Sequence, residues 1–196
     1  MNFAVAAAVF ALVFPAELPD KTALASVVLA TRYRPRPVFA GVAAAFAVHV
    51  ALAVTAGGLL ALLPRRALEI VVAGLFAAGA LLLLRGGGGH GQPDPGPADD
   101  RPPTALRAIT TSFAIIGVAE FGDLTQIVMA SMAAKYHHSL LAVAVGSVLA
   151  LWAVGALAVT GGRGLLRIVP MTVIVRLAAL AMVTLAVISL VSAVEG

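Results

Sequence analysis

The chain of 196 residues contains no cysteine, which removes disulfides, iron-sulfur clusters and thiolate metal sites and leaves its compartment open. Charge is scarce as well. Only 11% of residues are Asp, Glu, Lys or Arg, far below the quarter or so found in globular domains. Enzyme signatures are missing too: there is no H-E-x-x-H, no nucleophile elbow, and Glu120-Phe121-Gly122-Asp123 lacks the first glycine of the intramembrane aspartyl protease pattern. What fills the space is apolar, with 61% hydrophobic residues and a mean hydropathy of +1.05. That composition belongs to an integral membrane protein. The net charge of +4 is no nucleic-acid footprint, because most of the basic residues lie between apolar runs and no base-reading motif accompanies them.

Apolar segments run approximately over 2–31, 38–63, 67–84, 106–134, 140–160 and 168–194. About 20 residues cross a bilayer core, so the expected fold is an all-α integral membrane protein of six transmembrane helices. The first segment is not a secretory signal: it has no basic n-region and carries Glu17, Asp20 and Lys21 where an h-region would be unbroken. Arg32, Arg34, Arg36, Arg85, Arg101, Arg107, Arg163 and Arg167 follow the odd-numbered segments, whereas only Arg65, Arg66 and Lys135 follow the second and fourth. The positive-inside rule then puts the odd loops in the cytoplasm and both termini outside. Residues 85–105, rich in Gly and Pro and carrying Asp94, Asp99 and Asp100, read as a flexible cytoplasmic linker between a three-helix half over 1–84 and another over 106–196.

The two halves repeat each other. Ala16-Glu17-Leu18-Pro19-Asp20-Lys21-Thr22 shares its Ala, Glu, Asp and Thr, at the same spacing, with Ala119-Glu120-Phe121-Gly122-Asp123-Leu124-Thr125, 103 residues later. Thr55-Ala56-Gly57-Gly58 answers to Thr160-Gly161-Gly162, and Pro64 to Pro170. An odd number of spans per half makes the second half enter from the opposite side. The expectation is therefore a pair of inverted three-helix repeats enclosing a central site.

Four of the nine acids sit in these two motifs, deep in apolar sequence. A charge near the bilayer centre costs roughly 2.5 to 3.5 kcal/mol even on the lenient insertion scale, so the four require a proton, a cation or a partner. Glu and Asp three residues apart share a helix face and can grip one ion between them. Pro15 and Pro19, and more softly Gly122, interrupt the helices there and free carbonyl oxygens. Thr22, Thr125 and Gln126 add neutral oxygens. Glu17, Asp20, Glu120 and Asp123 with these three form an oxygen-only ligand set, suited to calcium, manganese or magnesium rather than zinc or copper. Lys21, four residues after Glu17, is placed to pair with it. His49 falls opposite Trp152 at an offset of 103 and reads as a packed or interfacial histidine, and Glu69 as an interfacial carboxylate.

These residues resemble the calcium/manganese-to-proton antiporters that include the Golgi transmembrane protein 165, a family marked by two copies of E-x-G-D-[KR]-[ST], one in each half. Here Pro19 replaces the first signature glycine, Leu124 the second signature cation, and Ala23 stands where glutamine is usual. The resemblance implies a secondary active transporter of the bacterial cytoplasmic membrane, exchanging manganese or calcium for protons by alternating access. It carries no cofactor beyond the transported cation. Its partners are the cation, protons and the lipid bilayer, with no nucleic acid, and a homodimer stays open. Glu17, Asp20, Glu120 and Asp123, with Lys21 beside them, would couple protons: like charges crowded in an apolar core disfavour the fully ionised state, so the empty site holds protons that an arriving divalent ion displaces. The rival reading is a six-helix exporter of another metal or an amino acid, its acids serving only as proton relays.

Overall fold

The computed structural model describes residues 2–18, 21–84, 104–121, 123–168 and 171–195, and every regular element among them is helical. Pro19, Asp20, Gly122, residues 85–103, Pro170 and the Lys21 side chain lie outside the described residues. In chain order the elements are α1 (Phe3–Glu17), α2 (Lys21–Arg32), α3 (Pro35–Leu60), α4 (Arg65–Leu84), α5 (Ala105–Ala119), α6 (Leu124–Lys135), a 3-10 turn at His137–Ser139, α7 (Leu140–Ile168) and α8 (Met171–Glu195).

Local chemistry sets several of the boundaries. Asn2 caps α1 by accepting from Val5 N at 3.4 Å, and Thr104 caps α5 by accepting from Arg107 N at 3.3 Å. Arg34 is held extended by the Pro35 that follows it, and Pro35 itself opens α3 where its missing N–H is not needed. The first apolar segment is not one helix but two, of 15 and 12 residues, each short of the roughly 20 that a span requires. The fourth segment divides in the same way, and α5 and α6 meet at a bend of 75°. Both interruptions fall on the acidic motifs.

By length and composition among the described residues, Pro35–Leu60 and His137–Gly161 can each cross a membrane alone, and the bent α5–α6 pair makes a third candidate. Six spans were expected from hydropathy; two or three are what these criteria support. The outer surface is nonetheless apolar, with Val118 and Phe121 80% and 76% exposed. Such patches are a liability in water and a contact surface in hydrocarbon.

Much of the packing runs in matched pairs, although α4 lies on α6 with no comparable contact of α8 on α2 among the described residues. α1 lies on α7 and α5 on α3; α2 lies on α7 and α6 on α3; α3 meets α7, and α4 meets α8. At the α3–α7 seam, Trp152 Nε1–H donates to Ala43 O at 3.0 Å, giving the indole a polar partner on the neighbouring helix. The α5–α3 approach is closest at Gly41, where a Cβ would overlap Ile109 O and lie 2.8 Å from Ser112 Cβ. The α1–α7 approach is closest at Gly146, where a Cβ would overlap Ala6 O. Gly41 and Gly146 are 105 residues apart, and Ala6 and Ile109 are 103 apart. The same contact is therefore made twice with the halves exchanged. Gly41→Val and Gly146→Val are each expected to lose about 1–3 kcal/mol by overpacking, seen as a lower melting transition in detergent. An unchanged transition in either would mean that these helices are not in close contact.

Candidate functional site

Glu17 closes α1 and is completely buried. Its carboxylate is the meeting point of the two motifs. From the first turn of α2, Thr22 Oγ1 donates to Glu17 Oε1 at 2.9 Å. From the first turn of α6, Thr125 Oγ1 donates to Glu17 Oε2 at 2.7 Å, across 108 residues of sequence. Thr22 and Thr125 are buried as well. A carboxylate at a helix C-terminus faces the negative end of the macrodipole, so α1 itself does nothing to favour the anion there. The two hydroxyls supply what the helix does not, each short bond being of the charge-assisted kind when the carboxylate is ionised.

The second motif is arranged around its own break. Glu120 is the C-cap of α5, its backbone N–H returning to Ile116 O at 2.9 Å, and its side chain is 2% exposed. Asp123 is the half-buried N-cap of α6, in extended backbone, and its carboxylate makes no capping bond. The Asp123 carbonyl instead starts the helix, accepting from Gln126 N at 3.1 Å and Ile127 N at 3.3 Å. Gln126 is half-buried and its Nε2 lies 3.2 Å from His49 Nδ1. His49 Nε2 lies 2.9 Å from Gly117 O, in the last turn of α5.

Of the residues singled out by sequence, the fold joins Glu17, Thr22 and Thr125 directly and seats Glu120, Asp123 and Gln126 at the α5–α6 break. Asp20 lies outside the described residues. Among those described, no three His, Asp or Glu side chains are gathered as a ready-made metal cage. Among the described residues, the hydroxyls of Thr22 and Thr125 both bond to Glu17. Glu69, expected at the interface, is half-buried, and its Oε2 is sealed from solvent with no hydrogen-bond partner among the described residues.

His49 is the residue that sequence reasoning undervalued. It is buried as expected of a packed histidine, at 4% exposure, but it is tied to the second motif through Gln126 and through Phe121, whose ring stands edge-on 6.4 Å away. The offset of 103 paired it with Trp152. The glycine contacts instead fix the α3–α7 correspondence at 105, and Val154 is then its counterpart.

A bundle of apolar helices, two of them broken where buried carboxylates sit, is the architecture of an integral membrane protein that handles a charged species at the depth of its core. Within that class the sequence is specific. The family profile described as divalent cation/proton antiporter GDT1 matches residues 5–90 and 108–196, and the chain belongs to that family. It is a family of transporters, so the chain is not an enzyme. No curated protein matches the chain, and no solved structure does.

Proposed function

We propose that this chain exchanges manganese or calcium for protons by alternating access, at a centre built on Glu17, Asp20, Glu120 and Asp123 with Thr22, Thr125 and Gln126 as neutral oxygen ligands. The observation that carries the reading is the bond from Thr125 to Glu17, which makes one carboxylate the common property of both halves. The exchanged glycine contacts, the matched helix pairs and a family match falling on both halves support six spans in two inverted repeats; the arginines after the odd-numbered segments support both termini outside and residues 85–105 in the cytoplasm. In an inverted repeat such a centre lies on the pseudo-two-fold axis, where rocking of one half against the other exposes it to each side in turn.

The chemistry follows from the donor set. A neutral carboxyl is far cheaper to bury than a carboxylate, so the centre without cation keeps protons. A divalent ion replaces them because it binds several ionised oxygens at once, and the net charge buried in the bundle stays low in both states. Protons and cation therefore compete for the same oxygens, which is what couples their opposite movements. The hydroxyls of Thr22 and Thr125 suit both states, since each can donate to a carboxylate or turn to present a lone pair. Oxygen ligands alone favour manganese, calcium and magnesium over zinc and copper. Magnesium is disfavoured next, because it sheds its waters reluctantly and demands an octahedral cage.

Uptake of each cation into proteoliposomes under an imposed pH gradient tests the proposal. Manganese or calcium is expected to enter against the proton flow and zinc not to. Uptake that ignores the gradient would overturn it. The topology has its own test, made clean by the absence of cysteine. A single Cys at Gly91 is expected to react with a membrane-impermeant maleimide only after the cytoplasmic face is opened, and one at Asn2 in intact cells. The reverse labelling would contradict the assigned orientation.

A further inference from the structure

The two halves differ at one constellation of four positions. On the first side Val154 of α7 clusters with Ala23, and Phe14 and Leu18 pack against them. At offsets of 103 and 105 these positions become His49, Gln126, Gly117 and Phe121. Here His49 contacts each of the other three, through a ring contact and two hydrogen bonds to the imidazole. Where one half has an apolar plug, the other has a buried imidazole bonded to a carbonyl and to an amide. The exchange is concerted. Glutamine at 126 comes with histidine at 49, and alanine at 23 comes with valine at 154.

The direction of the bonds is fixed by what each atom can do. Gly117 O only accepts, so His49 Nε2 carries the proton. Gln126 Nε2–H can only donate, so His49 Nδ1 is the acceptor of the second bond. With its nitrogen held there, the amide has its oxygen on the opposite side. A free glutamine has three torsions and a flippable amide, and it offers nitrogen as readily as oxygen. Only the oxygen can ligand a cation.

We infer that His49 is a positioning residue, anchored on the Gly117 carbonyl, which holds the Gln126 amide by its nitrogen so that the amide oxygen serves as a cation ligand. The inference rests on the reading of Gln126 as part of the cation centre. It makes the centre unequal between the halves: the amide ligand comes from the second half alone, because Ala23 has nothing to offer and Val154 nothing to orient. His49 touches no cation and acts through Gln126.

Calorimetric titration of the purified protein with manganese, and separately with calcium, reads cation affinity without requiring transport. Outer-shell partners of metal ligands typically contribute about 10–100-fold in affinity, so His49→Ala is expected to weaken binding about tenfold. His49→Asn sets an acceptor oxygen near the position of Nδ1 and is expected to restore most of that loss. His49→Gln reaches Gly117 O but not Gln126, and is expected to bind as weakly as the alanine variant. Gln126→Ala weakens binding too, and adding His49→Ala to it should change nothing more, because two residues acting through one contact are not additive. Losses that add in the double variant, or rescue by Gln and not by Asn, would make His49 a brace for the end of α5 and overturn the inference. Normal affinity in His49→Ala, or no binding by the unmodified protein, would overturn it as well. Binding in the expected pattern without cation–proton exchange would sink the antiport reading and leave this inference standing.

Discussion

Glu17→Gln is expected to reduce divalent cation transport by about two orders of magnitude or more while the protein still inserts and folds. The magnitude follows from position: even outer-shell partners of metal ligands cost about 10–100-fold when removed, and Glu17 is placed as a ligand itself. The substitution keeps the shape and hydrogen-bonding capacity of the side chain. One amide oxygen can still accept from Thr22 or Thr125, and the amide nitrogen can donate to the other hydroxyl, which has lone pairs to receive it. Stability should therefore change little, since a neutral amide is no harder to bury than a carboxylate. Glu17→Leu separates the two effects. It takes the carboxylate acceptor away from two buried hydroxyls, and one left unsatisfied is a penalty of about 1–3 kcal/mol, so it should lower the melting transition as well as abolish transport. Initial rates of cation uptake set beside melting curves check both variants. Near-normal uptake by Glu17→Gln would leave the carboxylate with a structural role only.

Asp123→Asn should have an effect of similar size for a different reason. An aspartate at an N-cap ordinarily contributes about 1 kcal/mol through a bond from its side chain to the first turn, but this carboxylate makes none. What α6 takes from the residue is its backbone carbonyl, and asparagine supplies that unchanged. Asparagine is also a good N-cap in its own right, so the helix start should survive intact. What is lost is a charge at the positive end of the helix dipole, in a half-buried position at the break. Transport is expected to fall at least about a hundredfold, with the helical circular dichroism signal and melting transition within error of the unmodified protein. A loss of helicity in step with transport would show that Asp123 works as a cap. Unimpaired transport would remove it from the centre.

The sequence carried the class because buried charge is so rare in apolar helices that four acids in two matched motifs stand out. It also placed the helix interruptions, since proline and glycine beside those acids are poor residues for an unbroken span. Hydropathy alone does not show the division: it sees a continuous apolar run over 2–31, whereas the backbone divides there into α1 and α2. The bond from Thr125 to Glu17 was out of reach for another reason. Spacing within a motif reports neighbours on one helix, and this contact joins residues 108 apart through tertiary packing. His49 is packed as expected, but its counterpart was mistaken because a single offset of 103 was carried into α3 and α7, where the register is 105. Two residues of drift turned its counterpart from Val154 into Trp152. With the right register the polar set His49 and Gln126 stands against the apolar set Val154 and Ala23, a contrast that could have been read from the letters alone.

The central claim is that protons and a divalent cation compete for one carboxylate centre shared between the halves. Proton release is its direct measure: reconstituted protein, a pH-sensitive dye inside the vesicles, and manganese or calcium added outside. The unmodified protein is expected to lose protons to the medium as the cation enters, in fixed proportion across cation concentrations, and Glu17→Gln to do neither. Cation entry without proton movement, or proton release that persists in Glu17→Gln, would contradict the account.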